Sequence, residues 1–224
     1  MTGTKVVKLR LEDSGTGGLP NLKEGVVGRA VKLYEDSTCD VVNDYYAMMA
    51  EATRDFDVRP AELQRIIDII EKKSEGDFDD NKKGAFLTVL MQNSRSQAFR
   101  IKIKSPVSCL GVNLKGDKKI TVVGDLLDET GACMEGGEIH VKGNVKDYTG
   151  SSMTGGKITV DGNAEDLTGT AMAGGIITVK GNVGENTSLH MTGGKLEVGG
   201  EIAGISGRVH GGEIYNKGER VWPR

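Results

Sequence analysis

Residues 134–209 read, in successive blocks, MEGGEIHVKGNVKDYTGSS (134–152), MTGGKITVDGNAEDLTGTA (153–171), MAGGIITVKGNVGENTSLH (172–190) and MTGGKLEVGGEIAGISGRV (191–209). Met134, Met153, Met172 and Met191 fall 19 residues apart, and each is followed by a paired glycine. A weaker unit, KGDKKITVVGDLLDETGAC, runs before them from Lys115. A partial one, HGGEIYNKG, follows a unit that is one residue short. Self-similarity at a fixed short period is the signature of a repeat architecture, here of about six coils.

Each place in the unit has a physical reading. Ile139 and Val141, Ile158 and Val160, Ile177 and Val179, Leu196 and Val198 alternate with polar residues, as a short strand with one inward face does. Gly143–Asn144, Gly162–Asn163 and Gly181–Asn182 follow the strands, and both residue types tolerate the backbone of a sharp corner. Val145, Ala164, Val183 and Ile202 then return an apolar side chain to the interior, and the Met column fills the remaining core. One unit cannot bury its own face, whereas coils stacked about 4.8 Å apart can. A propeller blade needs four strands in about 40 residues, and collagen needs glycine at every third position. The period of 19 fits neither. The fold class is therefore mainly β, a parallel, right-handed β-helix of about six 19-residue coils.

Composition marks a boundary. Of 33 glycines, 25 lie at or after Gly111. Residues 1–110 read as an α+β cap region, and residues 111–224 as the β-helix repeat domain with a C-terminal tail. Within the cap, Lys5–Glu12 alternates as a strand, and SGTGGLPNLKEG (14–25) is turn-rich. Val42, Tyr45, Tyr46 and Met49 recur at helical spacing. A second helix starts at Pro60 with a stripe of Leu63, Ile66, Ile67 and Ile70. Residues 74–84 read as a polar loop, Ala85–Met91 as a short helix, and Phe99, Ile101 and Ile103 as a strand. The helical segment should cover the first coil, and residues 216–224 should fold back at the other end and shelter Trp222, because open coil ends invite chain-to-chain growth.

Net charge and aromatic content exclude a class. At −3 with 4% aromatics, the chain has neither the basic excess for phosphate contacts nor the stacking platforms of a nucleic-acid binder. Cys39, Cys109 and Cys133 form no CxxC pair, so neither a zinc site nor a disulfide framework is expected. The stretch MTGTKVVKLRLEDSG lacks the apolar core of a signal peptide, and no run reaches the roughly 18 apolar residues of a membrane span. These features predict a cytoplasmic chain with reduced thiols and no membrane partner.

The sharpest chemical feature is a carboxylate column, Asp128, Asp147, Asp166 and Glu185, again spaced by 19. Like charges about 5 Å apart repel by roughly 1 kcal/mol per pair in water. The column must be solvated, splayed, hydrogen-bonded to turn amides or bridged by a cation, and capping of a turn is the favoured reading. The Asn column reads as a structural amide ladder. His140 points outward between Ile139 and Val141. His190 and His210 fall on neighbouring coils near the Met column, a metal case weakened by the lack of a third ligand. No Gly-x-Ser-x-Gly occurs, and Ser151, Ser152, Ser188 and Ser206 replace Thr or Ala of other coils. SGTGG lacks the Lys-Ser/Thr of a phosphate loop and the third glycine of a dinucleotide loop. No catalytic residue and no cofactor is expected.

The motif MxGGxIxVxGNxxDxTG resembles the glycine-rich (GXGXG) β-helix superfamily, in particular the β-helical subunit of formylmethanofuran dehydrogenase and the C-terminal domain of the glutamate synthase large subunit. The likeness covers residues 115–215 and is nearer the formylmethanofuran dehydrogenase type, while residues 1–110 have no counterpart in it. It implies a non-catalytic scaffold beside catalytic subunits, with protein subunits or a second copy as partner. The rival expectations are a ligand- or cation-binding module built on the carboxylate column or the groove beside the cap, and an independent hydrolase.

Overall fold

A computed structural model describes residues 25–36, 42–73 and 80–223. The expected strand at Lys5–Glu12 and the turn at 14–25, apart from Gly25, lie outside them, as does Cys39. Among the described residues four helices precede the strands: α1 (Val26–Asp36), α2 (Val42–Ala52), α3 (Pro60–Lys73) and α4 (Asp80–Asn93). Eight strands follow: β1 (Ala98–Lys102), β2 (Lys119–Val123), β3 (Glu138–Lys142), β4 (Lys157–Val160), β5 (Ile176–Val179), β6 (Lys195–Val198), β7 (Glu213–Asn216) and β8 (Glu219–Trp222).

The strands form one sheet in chain order, parallel from β1 to β7. Register follows the repeat, with Ile139 beside Ile158, Ile158 beside Ile177, and Ile177 beside Leu196. The result is the expected β-solenoid, wound at about 19 residues per turn with helices at its N-terminal end. Ile158, Val160, Ile177 and Val179 are fully buried, as are all four repeat methionines, while Lys157 is exposed. Val145 and Ala164 form a second parallel contact between coils, as do Val183 and Ile202.

Two corners show why glycine is dense here. The first glycine of each pair faces the coil before it: a Cβ on Gly174 would overlap the Thr154 carbonyl oxygen, and one on Gly193 would overlap that of Ala173. The second corner uses a left-handed backbone, at Gly131, Gly150 and Gly169 with φ of +67°, +66° and +72°. Ser188 takes the same place in the next coil at φ +61°, with its hydroxyl buried and without a hydrogen-bond partner.

The sheet begins at β1, before the shift in glycine content, and the helices close that end. Gln64 of α3 acts on the outer edge of β1 as a strand would: its Nε2 donates to the Lys102 carbonyl at 3.0 Å, and its Oε1 accepts from the Lys102 amide at 2.8 Å. Glu71 Oε1 accepts the amides of Lys104 and Ser105 at 2.8 and 3.2 Å. The segment read as a loop to residue 84 is instead helical from Asp80, and α4 runs to Asn93 rather than Met91. Gly84 is what misleads. It lies in the helix because a Cβ there would overlap the Ser108 carbonyl oxygen of the first coil. Thr88 and Gln92, one and two turns on, accept the amides of Gly111 and Lys115 at 2.7 and 3.0 Å. At the other end β8 folds back antiparallel on β7 through Lys217–Gly218, both at positive φ, and Trp222 is half-buried against the core.

The second corner supplies a test with opposite signs at equivalent places two coils apart. Ser188→Gly removes a strained conformation and an unpaired hydroxyl, less the entropy of a new glycine, and should raise unfolding stability by about 1 kcal/mol. Gly150→Ala would drive a methyl group onto Ile177 Cδ1 at φ +66° and should cost about 2 kcal/mol. Denaturant unfolding of both variants measures this, and equal signs would contradict the geometry.

Candidate functional site

The four carboxylates stand in one column, and the three aspartates bond to the backbone, not to each other. Asp128 Oδ1 accepts the amide of Asp147 at 3.2 Å, Asp147 Oδ1 that of Asp166 at 2.9 Å, and Asp166 Oδ1 that of Glu185 at 2.8 Å. The amide dipole of the next coil thus faces each aspartate, which offsets the repulsion that a bare stack would carry. The Asn column works the same way. Asn144, Asn163 and Asn182 each turn Oδ1 to the amide one coil ahead, at 2.8–2.9 Å. The ladder expected between side-chain amides is therefore a ladder from side chain to main chain. Corner amides lie outside the strand pairing and need an acceptor, and the residue one coil back supplies it.

A further column is absent from the sequence expectations. Thr130, Thr149, Thr168 and Thr187 are fully buried, and each hydroxyl donates to the carbonyl three residues earlier, at 3.0–3.3 Å. The recurrence of the first three in D-x-T-G is the available signal, since a threonine repeated at a buried corner needs a partner for its hydroxyl.

The outward face of the sheet carries the remaining polar groups. Its central column includes Thr121, His140, Thr159, Thr178 and Glu197. A cleft of about 300 Å³ lies among Thr121, His140 and Thr159, and one of about 480 Å³ among Thr178, Glu197 and Tyr215. His140 points outward as expected, with Nε2 3.0 Å from Asp161 Oδ1. Lys180 Nζ lies 2.7 Å from the same oxygen. Lys180 and then His140 hold the Asp161 carboxyl down at about 2. Lys195 bridges to Glu197 at 2.5 Å and lies 4.5 Å from the Tyr215 ring centroid. The hydrogen bond between them raises the pKa of Lys195 and lowers that of Glu197.

The other candidates separate. Cys109 is buried with Sγ 3.3 Å from Glu129 Oε2. Cys133 is exposed, and partial desolvation by its surroundings, then the charge of Glu129, pushes its thiol upward, the opposite of an activated nucleophile. Ser152 sits at a left-handed corner that Cys133 and Ala171 also fill. Among the described residues no group of three or more His, Cys, Asp or Glu side chains could hold a metal ion, and no helix is long and apolar enough to cross a membrane. His190 and His210 do meet on adjacent coils, with Nδ1 and Nε2 3.3 Å apart.

These bonds have measurable consequences. Asp166→Asn keeps an acceptor for the Glu185 amide and should leave stability within about 0.5 kcal/mol, whereas Asp166→Ala removes it and should cost about 1 kcal/mol. Calcium or magnesium should not shift the melting temperature of the parent; a shift that Asp147→Asn with Asp166→Asn abolishes would make the column a cation site. A separate outcome concerns Asp161. Its folded pKa lies below the ordinary 3.8, so its contribution is present above that value and is lost as pH falls toward 2. Asp161→Asn should flatten the acid limb of the stability curve over that range. The side chain is 31% exposed, so the loss at neutral pH should stay under about 1 kcal/mol.

Compared with known proteins, the chain matches no family model and no curated protein.

Proposed function

We propose that this protein is a non-catalytic scaffold, a subunit or relative of a subunit of a multisubunit oxidoreductase of the formylmethanofuran dehydrogenase or glutamate synthase type. The observation that carries the reading is the outward face of the parallel sheet. From β2 to β7 its side chains stand in fixed columns, held in register by the ladder beneath them. Lys119, Glu138 and Lys157 alternate in sign along one column, and Ile176 continues it, 38% exposed. An apolar centre with a charged surround is the anatomy of a protein–protein interface. The recurring Asp and Asn side chains are spent on holding coils together and the Thr side chains on closing each turn, which leaves the face to present shape and charge. The partner is another protein subunit or a second copy of this chain. The GXGXG-like repeat supports the assignment by analogy of fold.

Purification from the native host should co-isolate oxidoreductase subunits, and light scattering should find a complex that buries more than about 1,000 Å². Cross-links should map to the β3–β5 face. Ile176→Lys should dissociate the complex, while its repulsion with Lys157 and Lys195 on the neighbouring strands should lower the stability of the isolated protein by no more than about 1 kcal/mol. A strict monomer in the host extract, or a complex indifferent to Ile176→Lys, would count against this reading.

A further inference from the structure

His190 and His210 lie outside every column that holds the coils together. Both are exposed, their rings are within 14° of parallel, and His190 Nδ1 stands 3.3 Å from His210 Nε2. We propose that the pair is a binding site for a divalent transition-metal ion, Cu(II) or Zn(II), on the outside of two successive coils.

Zinc–imidazole bonds are about 2.0–2.1 Å, so two nitrogens at a tetrahedral angle lie about 3.3–3.4 Å apart. The pair already has that separation, as a hydrogen bond in which one ring donates to the other; an ion takes the place of that proton once both rings turn about χ2 to aim their lone pairs at a common point. Neither backbone has to move to keep it: the His190 amide donates to the Arg208 carbonyl at 2.9 Å, and the His210 amide to the Met191 carbonyl at 2.8 Å. A chelate mounted on two hydrogen-bonded coils loses little freedom when an ion arrives. Borderline imidazole nitrogens select copper, zinc or nickel over calcium or magnesium, and this sets the site apart from the oxygen-lined carboxylate column. Two protein ligands leave the other positions to water, as in an open site rather than a closed structural one.

The repeat shows that coil stacking does not require these imidazoles. Ala171 occupies the place of His190 one coil back, with the same left-handed backbone, at φ +53° against +57°. Thr192 occupies the place of His210, and its amide donates to the Met172 carbonyl as that of His210 does to Met191. The molecule therefore contains its own replacement residues, His190→Ala and His210→Thr.

Titration calorimetry of the full chain with copper and zinc salts tests the site. One ion should bind per chain, copper more tightly than zinc. Electron paramagnetic resonance of the copper form should show two coordinated nitrogens. Each variant should weaken copper binding by about tenfold or more with an unchanged melting temperature, while His140→Ala should bind as the parent does. Equal affinity in either variant, or a copper spectrum without nitrogen coupling, would overturn the proposal.

Discussion

Every coil must approach the next within hydrogen-bonding distance around its circuit, not only along its strand. The strands are the easy part, since parallel pairing satisfies their amides and carbonyls. Corners have no such ladder, and three separate devices hold them. At the paired glycines no side chain fits beneath the carbonyl of the coil before. At the Asn and Asp columns a side-chain oxygen reaches one coil ahead to an amide. At the Thr column a buried hydroxyl closes on its own turn. Period, composition and register all follow from this demand.

The first coil meets the demand from one side only, and the helices answer for the missing neighbour. Gln64 presents a donor and an acceptor to the edge of β1 in the spacing of a peptide group, and Glu71 and Thr88 take amides that a preceding coil would have taken. Lys118 belongs to the same closure: its buried ammonium donates to the carbonyls of Ser94 and Ser96 past the end of α4. Burial lowers its pKa, and the nearby charge of Asp117 partly opposes this. The other end is closed more lightly, by a hairpin whose outer strand is half-exposed.

The solenoid was legible because each of its requirements recurs at one period, so a weak preference at any single place is multiplied by the number of coils. The helical end has no such multiplication. The apolar stripe of α3 was readable from Leu63 to Ile70, yet α4 looked like a loop followed by a short helix. Its first turn is polar, and its glycine answers to a contact with Ser108, more than twenty residues away in the chain. Strand β1 was readable as a strand, but not as the first rung of the sheet. It has no paired glycine ahead of it, because a helix rather than a coil lies on its outer side. The acceptor of each corner amide also needed coordinates, since sequence places Asp147 and Asp166 in one column without saying which atom faces which.

A repeat that commits its recurring side chains to its own cohesion leaves function to the positions that break the pattern. Asp166 occurs as Asp147 and Asp128 because coils need it; His140 stands where its neighbours on the sheet carry Thr121 and Thr159. Asp161 of the next coil pairs with it and also with Lys180 of the coil beyond, an arrangement that no other coil repeats among the described residues. His190 replaces the Ala of the coil before, and the one-residue deletion that follows brings His210 beside it. Ile176 replaces the Lys of the coil before, and with it the sheet face loses a charge and gains an apolar centre. Selection for stacking alone would favour the residue that works in the other coils, so each departure needs a reason of its own. These reasons act at the surface, because the interior of a coil allows little beyond Ile, Val, Met and Thr.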